Sequence, residues 1–177
     1  MNMKPLLRKL ALTLHIAVSV GWLGAALAYL AVAVVALASG EAPKIQAAYP
    51  TLALLGWWVI LPLCAAALLS GLAQSLGTPW GVLRHYWVVA KLALTLTATA
   101  VLLGHLPVVS HAATLAMRPV ESPAEFGMVP AQLVVHAAGG SLVLLAVVAI
   151  SIFKPWGLTP RGRRWQRAIA AGNSEAR

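Results

Sequence analysis

Four long apolar stretches take up most of this sequence and constrain its fold more than any other feature. They run from about residue 10 to 38, 49 to 72, 86 to 106 and 130 to 153, and each reaches the roughly 20 residues that a helix needs to cross a bilayer. With 60% hydrophobic and 10% charged residues, the chain has too little polar surface to coat a water-soluble domain. The sequence therefore predicts an all-α fold, a four-helix transmembrane bundle that forms one membrane domain over residues 1–177.

The distribution of basic residues predicts how the bundle is oriented. Of the 13 Lys and Arg residues, Lys44 and Arg118 fall on one side of the predicted spans and the rest fall on the other. Because Lys and Arg accumulate on the cytoplasmic side of membrane proteins, we expect both termini in the cytoplasm and the protein in a bacterial inner membrane. Residues 154–177 then form a basic cytoplasmic tail next to anionic lipid. Topology accounts for the net charge of +9, so nucleic acid is not expected as a partner.

The acidic residues all lie outside the predicted spans, at Glu41, Glu121, Glu125 and Glu175, and the chain has no aspartate. This argues against a carboxylate proton relay and against a carboxylate-bridged pair of metals. The chain also lacks a Ser/His/Asp set, a glycine-rich phosphate loop and an HExxH motif, so no catalytic residue is assigned.

Histidines and one lysine are the ionisable groups left inside or beside the spans, and helical spacing puts several of them on inward stripes. One stripe holds His15, Ser19, Trp22, Ala26 and Tyr29, a second holds Lys91, Thr95, Ala98, Leu102 and His105, and a third holds Gln132 and His136. Their depth predicts an inner group of His15, His85 and Lys91. It also predicts an outer group of His105 and His136, with His111 folding over them from the loop after the third span.

Imidazole nitrogens on facing membrane helices are suitable axial ligands for haem b. We expect His15, His105 and His136 to be the ligands, with His85 nearby and with Arg84 and Lys91 pairing the haem propionates. The outer trio of His105, His111 and His136 could instead bind copper or zinc. A third possibility is that no cofactor is bound and that the histidines only hydrogen-bond neighbouring helices.

These possibilities lead to two classes of function. The first is a haem-binding or metal-binding membrane protein in electron transfer, redox sensing or haem or metal handling, with the lipid bilayer around it and a quinone or another membrane protein as its partner. The second is a non-enzymatic partner subunit or small-solute carrier whose histidines are structural.

Three stretches of the chain resemble a family of small bacterial integral membrane proteins of unknown function. They are LHIAVSVGWLGAALAYLAV (14–32), SGLAQSLGTPWGVLRHYWVVAKLALT (70–95), and VVHAAGGSLVLL (134–145) together with FKPWGLTPRGRR (153–164). The resemblance implies a four-helix membrane bundle and transfers no catalytic residue. The segment HIAVSVGWLG also resembles the opening helix of copper-resistance D membrane domains. The layout is similar to that of b561-type membrane cytochromes, whose helices carry paired histidines, but the second helix here has none, so a single haem, or none, is expected rather than two.

Overall fold

The structure of the chain is a computed structural model that describes residues 4–39, 41–78, 80–118 and 123–175. Glu121 and Arg177, two of the charged residues counted in the sequence analysis, lie outside the described residues. Four helices are long and apolar enough to cross a membrane, and a shorter basic helix follows them. We name these helices α1 (Pro5–Ala38), α2 (Ala42–Gly77), α3 (Tyr86–Ala116), α4 (Val129–Phe153) and α5 (Pro160–Glu175). A 3-10 turn, Pro123–Phe126, precedes α4. The predicted all-α helical bundle is thereby confirmed.

Helix α2 is interrupted near its middle by a wider, π-helical segment. Regular α-helix over Ala42–Leu54 gives way to π-helix over Leu55–Ile60 and returns over Leu61–Gly77. Pro62 follows directly, and a proline has no amide hydrogen and crowds the carbonyl four residues before it, which explains why the backbone widens here. A side chain at Gly56 would come within 2.9 Å of the Leu106 Cδ2 atom. The glycine therefore allows α2 to lie close against α3.

The predicted end of the third span, before Pro107, is wrong. Helix α3 continues through Pro107 to Ala116. An interior proline costs a helix about 3 kcal/mol, but the turns that follow it bury one face against the first part of α2, and this packing offsets the cost. The buried residues of that face are Val109, Ala112, Ala113 and Ala116. His105 therefore lies well inside α3 rather than near its end, and His111 lies on this helix rather than in a loop.

The predicted starts of the first two spans, near residues 10 and 49, are also too late. Helix α1 begins at Pro5 and α2 begins at Ala42, and each has a proline in its first turn. The amide hydrogen that proline lacks has no partner in the first turn of a helix, so proline is favoured there. Pro43, which the sequence analysis treats as part of the segment between spans, is instead a residue of the first turn of α2.

The two ends of the bundle differ in charge and in packing. We call the end with Lys9, Arg84 and Lys154 the basic end and the end with Glu41 and Arg118 the distal end. At the distal end the first part of α2 packs closely on α3, whereas at the basic end the last part of α2 packs on α1 and has few contacts with α3. The bundle is therefore closed at the distal end and open between its helices at the basic end. The fully buried distal side chains include Ile45, Tyr49, Leu52, Leu106, Val109 and Leu133.

A short contact between two loops closes the edge of the basic end, and we call it the clasp. The Thr159 amide donates to the Arg84 carbonyl at 2.9 Å, and the Thr159 hydroxyl donates to the Leu83 carbonyl at 2.6 Å. The Tyr86 amide donates in return to the Gly157 carbonyl at 3.2 Å. The Arg84 guanidinium also lies 3.9 Å from the centre of the Trp165 ring. The clasp thus holds α5 against the loop between α2 and α3.

Replacing Gly162 by alanine is expected to open the clasp. A Cβ atom at this position would collide with the Arg84 carbonyl and would lie 2.8 Å from the Leu158 Cδ2 atom. Because proteolysis of a segment follows the population in which it is open, we expect trypsin to cleave at Arg161–Arg167 roughly fivefold faster. Gly157→Ala is the matched control, since a Cβ atom there meets no atom within 4 Å. Equal cleavage rates in the two variants would contradict this account of the clasp.

Candidate functional site

Two cavities lie one above the other between the helices of the described part of the chain, and both are partly open to the outside. The larger, about 870 Å³, is at the basic end, and we call it the basic cavity. The smaller, about 360 Å³, is nearer the distal end, and we call it the distal cavity. Trp22 and Leu144 line both cavities and so form the wall between them. Both volumes are within the range of about 300–1,000 Å³ that is typical of small-molecule sites.

The basic cavity carries positive charge. Arg8, Lys9, Lys91 and Lys154 line it, and no acidic side chain does among the described residues. The Lys91 ammonium donates to the Ser151 hydroxyl at 3.0 Å, which joins α3 to α4, and none of the described salt bridges involves it. A carboxylate or phosphate group on a ligand would therefore find cations here whose charge no neighbouring carboxylate neutralises.

His15 faces Lys91 across this cavity, from α1, and its hydrogen bonds determine which ring nitrogen carries the proton. The His15 Nδ1 atom lies 2.9 Å from the Ser70 Oγ atom on α2. The single hydroxyl hydrogen of Ser70 is donated to the Ala66 carbonyl at 2.6 Å, so Ser70 accepts from His15 and Nδ1 carries the hydrogen. The ring also hydrogen-bonds the Ala67 carbonyl, which can only accept, so this bond too uses the nitrogen that carries the hydrogen. The neutral ring then has a lone pair on its other nitrogen, Nε2. His15 is thus oriented as a potential metal ligand.

The close approach of α1 to α2 at this point depends on a glycine. A Cβ atom at Gly71 would lie 3.1 Å from the His15 Cε1 atom. A larger residue at position 71 would push the imidazole away from Ser70. The sequence analysis missed Ser70 and Gly71, which lie against His15, because it found no histidine on α2 and assigned no site residue there. The sequence did contain a signal for this contact: a small polar residue and a glycine are adjacent on α2 at the depth of His15.

Three polar side chains meet at the side of the distal cavity, and we call them the relay. The Tyr29 hydroxyl lies 3.1 Å from the His105 Nε2 atom, and the His105 Nδ1 atom lies 2.9 Å from the His136 Nδ1 atom. The two imidazole rings are edge to face, with centres 4.7 Å apart. His105 is buried and both of its ring nitrogens are engaged, whereas His136 is half-buried and no described hydrogen bond uses its Nε2 atom.

The structure brings together some of the predicted site residues and separates others. His15 and Lys91 line the basic cavity, and His105 and His136 are in contact beside the distal cavity. His111 does not join them, because it follows His105 by six residues on the same helix and its side chain therefore points about 120° away around α3, where it is exposed. The prediction that His111 joins His105 and His136 is therefore wrong.

The sequence analysis predicted Arg84 at the haem propionates and His85 near the haem ligands. In the structure both residues belong to the clasp rather than to the basic cavity. The Arg84 guanidinium lies on Trp165, and the His85 Nδ1 atom donates to the Trp80 carbonyl at 2.8 Å. Neither residue lines the basic cavity. The sequence placed both at the correct end of the bundle, but their position in a loop turns them away from its interior.

A metal site made of protein ligands alone has little support in this geometry. Among the described residues, no group of three or more His, Cys, Asp or Glu side chains is placed to hold a metal ion. Protein-bound zinc uses three or four protein ligands, and the His105–His136 pair supplies two. A haem needs fewer, because the macrocycle itself provides four nitrogens and the protein adds only axial ligands.

Comparison with known proteins gives no match: no protein-family model, no curated protein and no solved structure is significantly similar to the chain. The fold and the two cavities therefore provide the basis for a functional assignment.

Proposed function

We propose that this chain is a haem b protein that transfers electrons within a bacterial inner membrane, and that the basic cavity holds the haem. In this proposal α1 to α4 cross the bilayer, and the basic end faces the cytoplasm together with both termini. The lipid-exposed apolar surface of the four helices and the concentration of Lys and Arg at one end support this arrangement.

The observation that carries the proposal is the lone pair of His15. The Ser70 hydroxyl holds this imidazole with its hydrogen on Nδ1 and leaves Nε2 available inside a cavity of about 870 Å³. A hydrogen bond from the far ring nitrogen to an oxygen is the usual way in which proteins orient a histidine that ligates a metal. His15 is therefore the axial ligand in our proposal, and Ser70 is the positioning residue.

The charges around the cavity support a haem rather than an uncharged cofactor. Haem b carries two carboxylates, and Lys91 and Lys154 provide cations on the α3 and α4 side of the cavity. The wall between the cavities, Trp22 and Leu144, is apolar, as the face of a macrocycle requires. Bound haem supplies a one-electron couple, and the chain's own residues set its ligation, its electrostatic surroundings and its separation from water.

The relay is a poorer place for a haem. Metal–imidazole bonds are about 2.0 Å long, so two nitrogens on opposite sides of one metal lie about 4 Å apart. The nitrogens of His105 and His136 lie 2.9 Å apart and hydrogen-bond each other directly, with no space for a macrocycle between them. Among the described residues, no Lys or Arg that would pair a propionate lines the distal cavity.

A reduced-minus-oxidised visible spectrum tests the proposal. We expect the chain, expressed with haem precursor and purified in mild detergent, to show a Soret band with sharp α and β peaks. His15→Ala should lower the haem content by roughly tenfold or more, because it removes the axial ligand. His111→Ala is the matched control, since this histidine is exposed on α3 and is expected to leave the spectrum unchanged.

Two results would contradict the proposal: a colourless wild-type protein, or a His15→Ala variant that retains its full haem content. Loss of the bands in His136→Ala but not in His15→Ala would move the haem to the distal cavity. Copper or zinc in a colourless preparation would instead favour the His105–His136 pair as a metal site.

A further inference from the structure

The distal cavity opens towards the surrounding lipid. Val101 on α3 and Val135 on α4 line it and are 47% and 67% exposed on the outer surface of the bundle. Gly139 and Gly140 on α4 also line the cavity and have no side chains to narrow its opening. A Cβ atom at either position would meet no atom within 4 Å. The densely packed distal end closes the cavity on the other side. A ligand would therefore enter sideways from the bilayer.

The lining of the cavity selects for an uncharged ligand. Within the part of the chain that the structure describes, no Lys, Arg, Asp or Glu lines it, and most of its surface is apolar. An anionic head group would find no cation here, and a cation would find no carboxylate. Its polar lining residues are the three of the relay and Thr97, which is exposed on α3, so the ligand should be apolar over most of its surface and carry a hydrogen-bonding group at the edge that meets the relay.

The relay can present either a donor or an acceptor to such a ligand. In one arrangement Tyr29 donates to His105 Nε2, His105 Nδ1 donates to His136 Nδ1, and His136 carries its hydrogen on Nε2. In the other, His136 Nδ1 donates to His105 Nδ1, His105 Nε2 donates to the Tyr29 oxygen, and His136 Nε2 is a bare acceptor. Both arrangements satisfy the same two distances, and in the second the hydrogen of the Tyr29 hydroxyl turns away from His105 towards the cavity that Tyr29 lines. His136 Nε2 can therefore change its role without any movement of the helices.

We propose that the distal cavity binds the head ring of a lipid-borne quinone and of its quinol, with His136 Nε2 as the hydrogen-bonding partner. The carbonyl of a quinone accepts a hydrogen bond and the hydroxyl of a quinol donates one, and the two relay arrangements match these two forms. The ring lies in the apolar cavity, and its isoprenoid tail leaves past Val135 into lipid. Binding at this site is independent of the haem proposed for the basic cavity.

Equilibrium binding to the full chain in detergent micelles tests the proposal. The probes are a benzoquinone with a decyl chain and its quinol, and tryptophan fluorescence reports binding, because Trp22 lines the cavity. We expect saturable binding of both forms at one site. Gly140→Leu, which fills the cavity, and His136→Leu, which removes the polar partner, should each raise the dissociation constant roughly tenfold or more.

Gly104→Leu is the matched control for the glycine substitution. Gly104 is exposed on α3, does not line the cavity, and has open space around its Cβ position. It should bind both probes as the wild type does. Decylbenzene, which has the same tail and no oxygen, is the control for the ligand and should displace neither probe.

Three outcomes would overturn the inference. One is non-saturable uptake that is equal in all variants, which would mean partition into the micelle alone. Another is equal displacement by decylbenzene, which would mean that the cavity accepts acyl chains. The third is unchanged affinity in both Gly140→Leu and His136→Leu, provided that each variant remains monodisperse.

Discussion

Tyr49→Ala is expected to lower the free energy of unfolding by about 3–5 kcal/mol, the usual range for removing a large buried aromatic side chain. Tyr49 is 0% exposed, and its ring centre lies 4.6 Å from that of Phe126, which joins the first part of α2 to the turn before α4. An aromatic pair of this kind adds about 0.5–1.5 kcal/mol beyond its packing. The substitution would remove this pair and leave a cavity in the closed end of the bundle.

The measurement is the unfolding midpoint of the purified chain in mixed micelles. Trp58→Ala is the matched control, because Trp58 is an aromatic residue of the same helix that is 79% exposed on the outer surface. Its loss should change the free energy of unfolding by less than about 0.5 kcal/mol. If the two variants unfold alike, the distal end does not hold the bundle together in the way that its burial indicates.

Lys91→Met is expected to change stability and haem binding in opposite directions. Lys91 is half-buried in a helix that is apolar enough to cross a membrane, and none of the described salt bridges involves it, so replacing it by an apolar residue of similar length removes a desolvation penalty. We expect the free energy of unfolding to rise by about 1–2 kcal/mol. The haem dissociation constant should rise roughly tenfold, because a hydrogen bond to a charged group contributes about 1.5–3 kcal/mol.

Both quantities are measured on the same preparations, by unfolding in mixed micelles and by haem titration followed at the Soret band. Lys44→Met is the control. Lys44 is exposed at the distal end, and its Nζ atom lies 2.7 Å from the Glu41 Oε1 atom. A surface ion pair of this kind contributes little to the free energy of unfolding. A destabilised Lys91→Met variant with normal haem affinity would show that this lysine is structural.

The sequence predicts the helices well because a bilayer leaves the backbone few alternatives. Apolar runs with no charge at their centres have to become helices in a bilayer. The predicted inward stripe on α1 is confirmed by the burial of Trp22, Ala26 and Tyr29. The depth argument put His105 and His136 at depths from which they could approach each other, and in the structure their ring nitrogens are in contact. Helical periodicity and the rise per residue are local properties, so a single sequence contains them.

Other features depend on contacts between helices and were not predictable in this way. Pro107 ends a helix by local rules, but the packing of α3 on the first part of α2 keeps the chain helical past it and turns His111 outward. The proton on His15 depends on Ser70, which is 55 residues away in sequence. The positions of Arg84 and His85 depend on a clasp with Thr159 that no periodicity indicates.

The clasp also sets an order of events during synthesis. Leu83 and Thr159, which it joins, are separated by 76 residues, so at roughly 5–20 residues per second the loop before α3 waits about 4–15 s for its partner. Thr78, Trp80 and Val82 in or beside this loop line the basic cavity. Residues of α4 and Lys154, which directly follows this helix, also line the cavity and are synthesised within this interval. The basic cavity is therefore complete only at the end of this interval, when α4 and Thr159 have both been made.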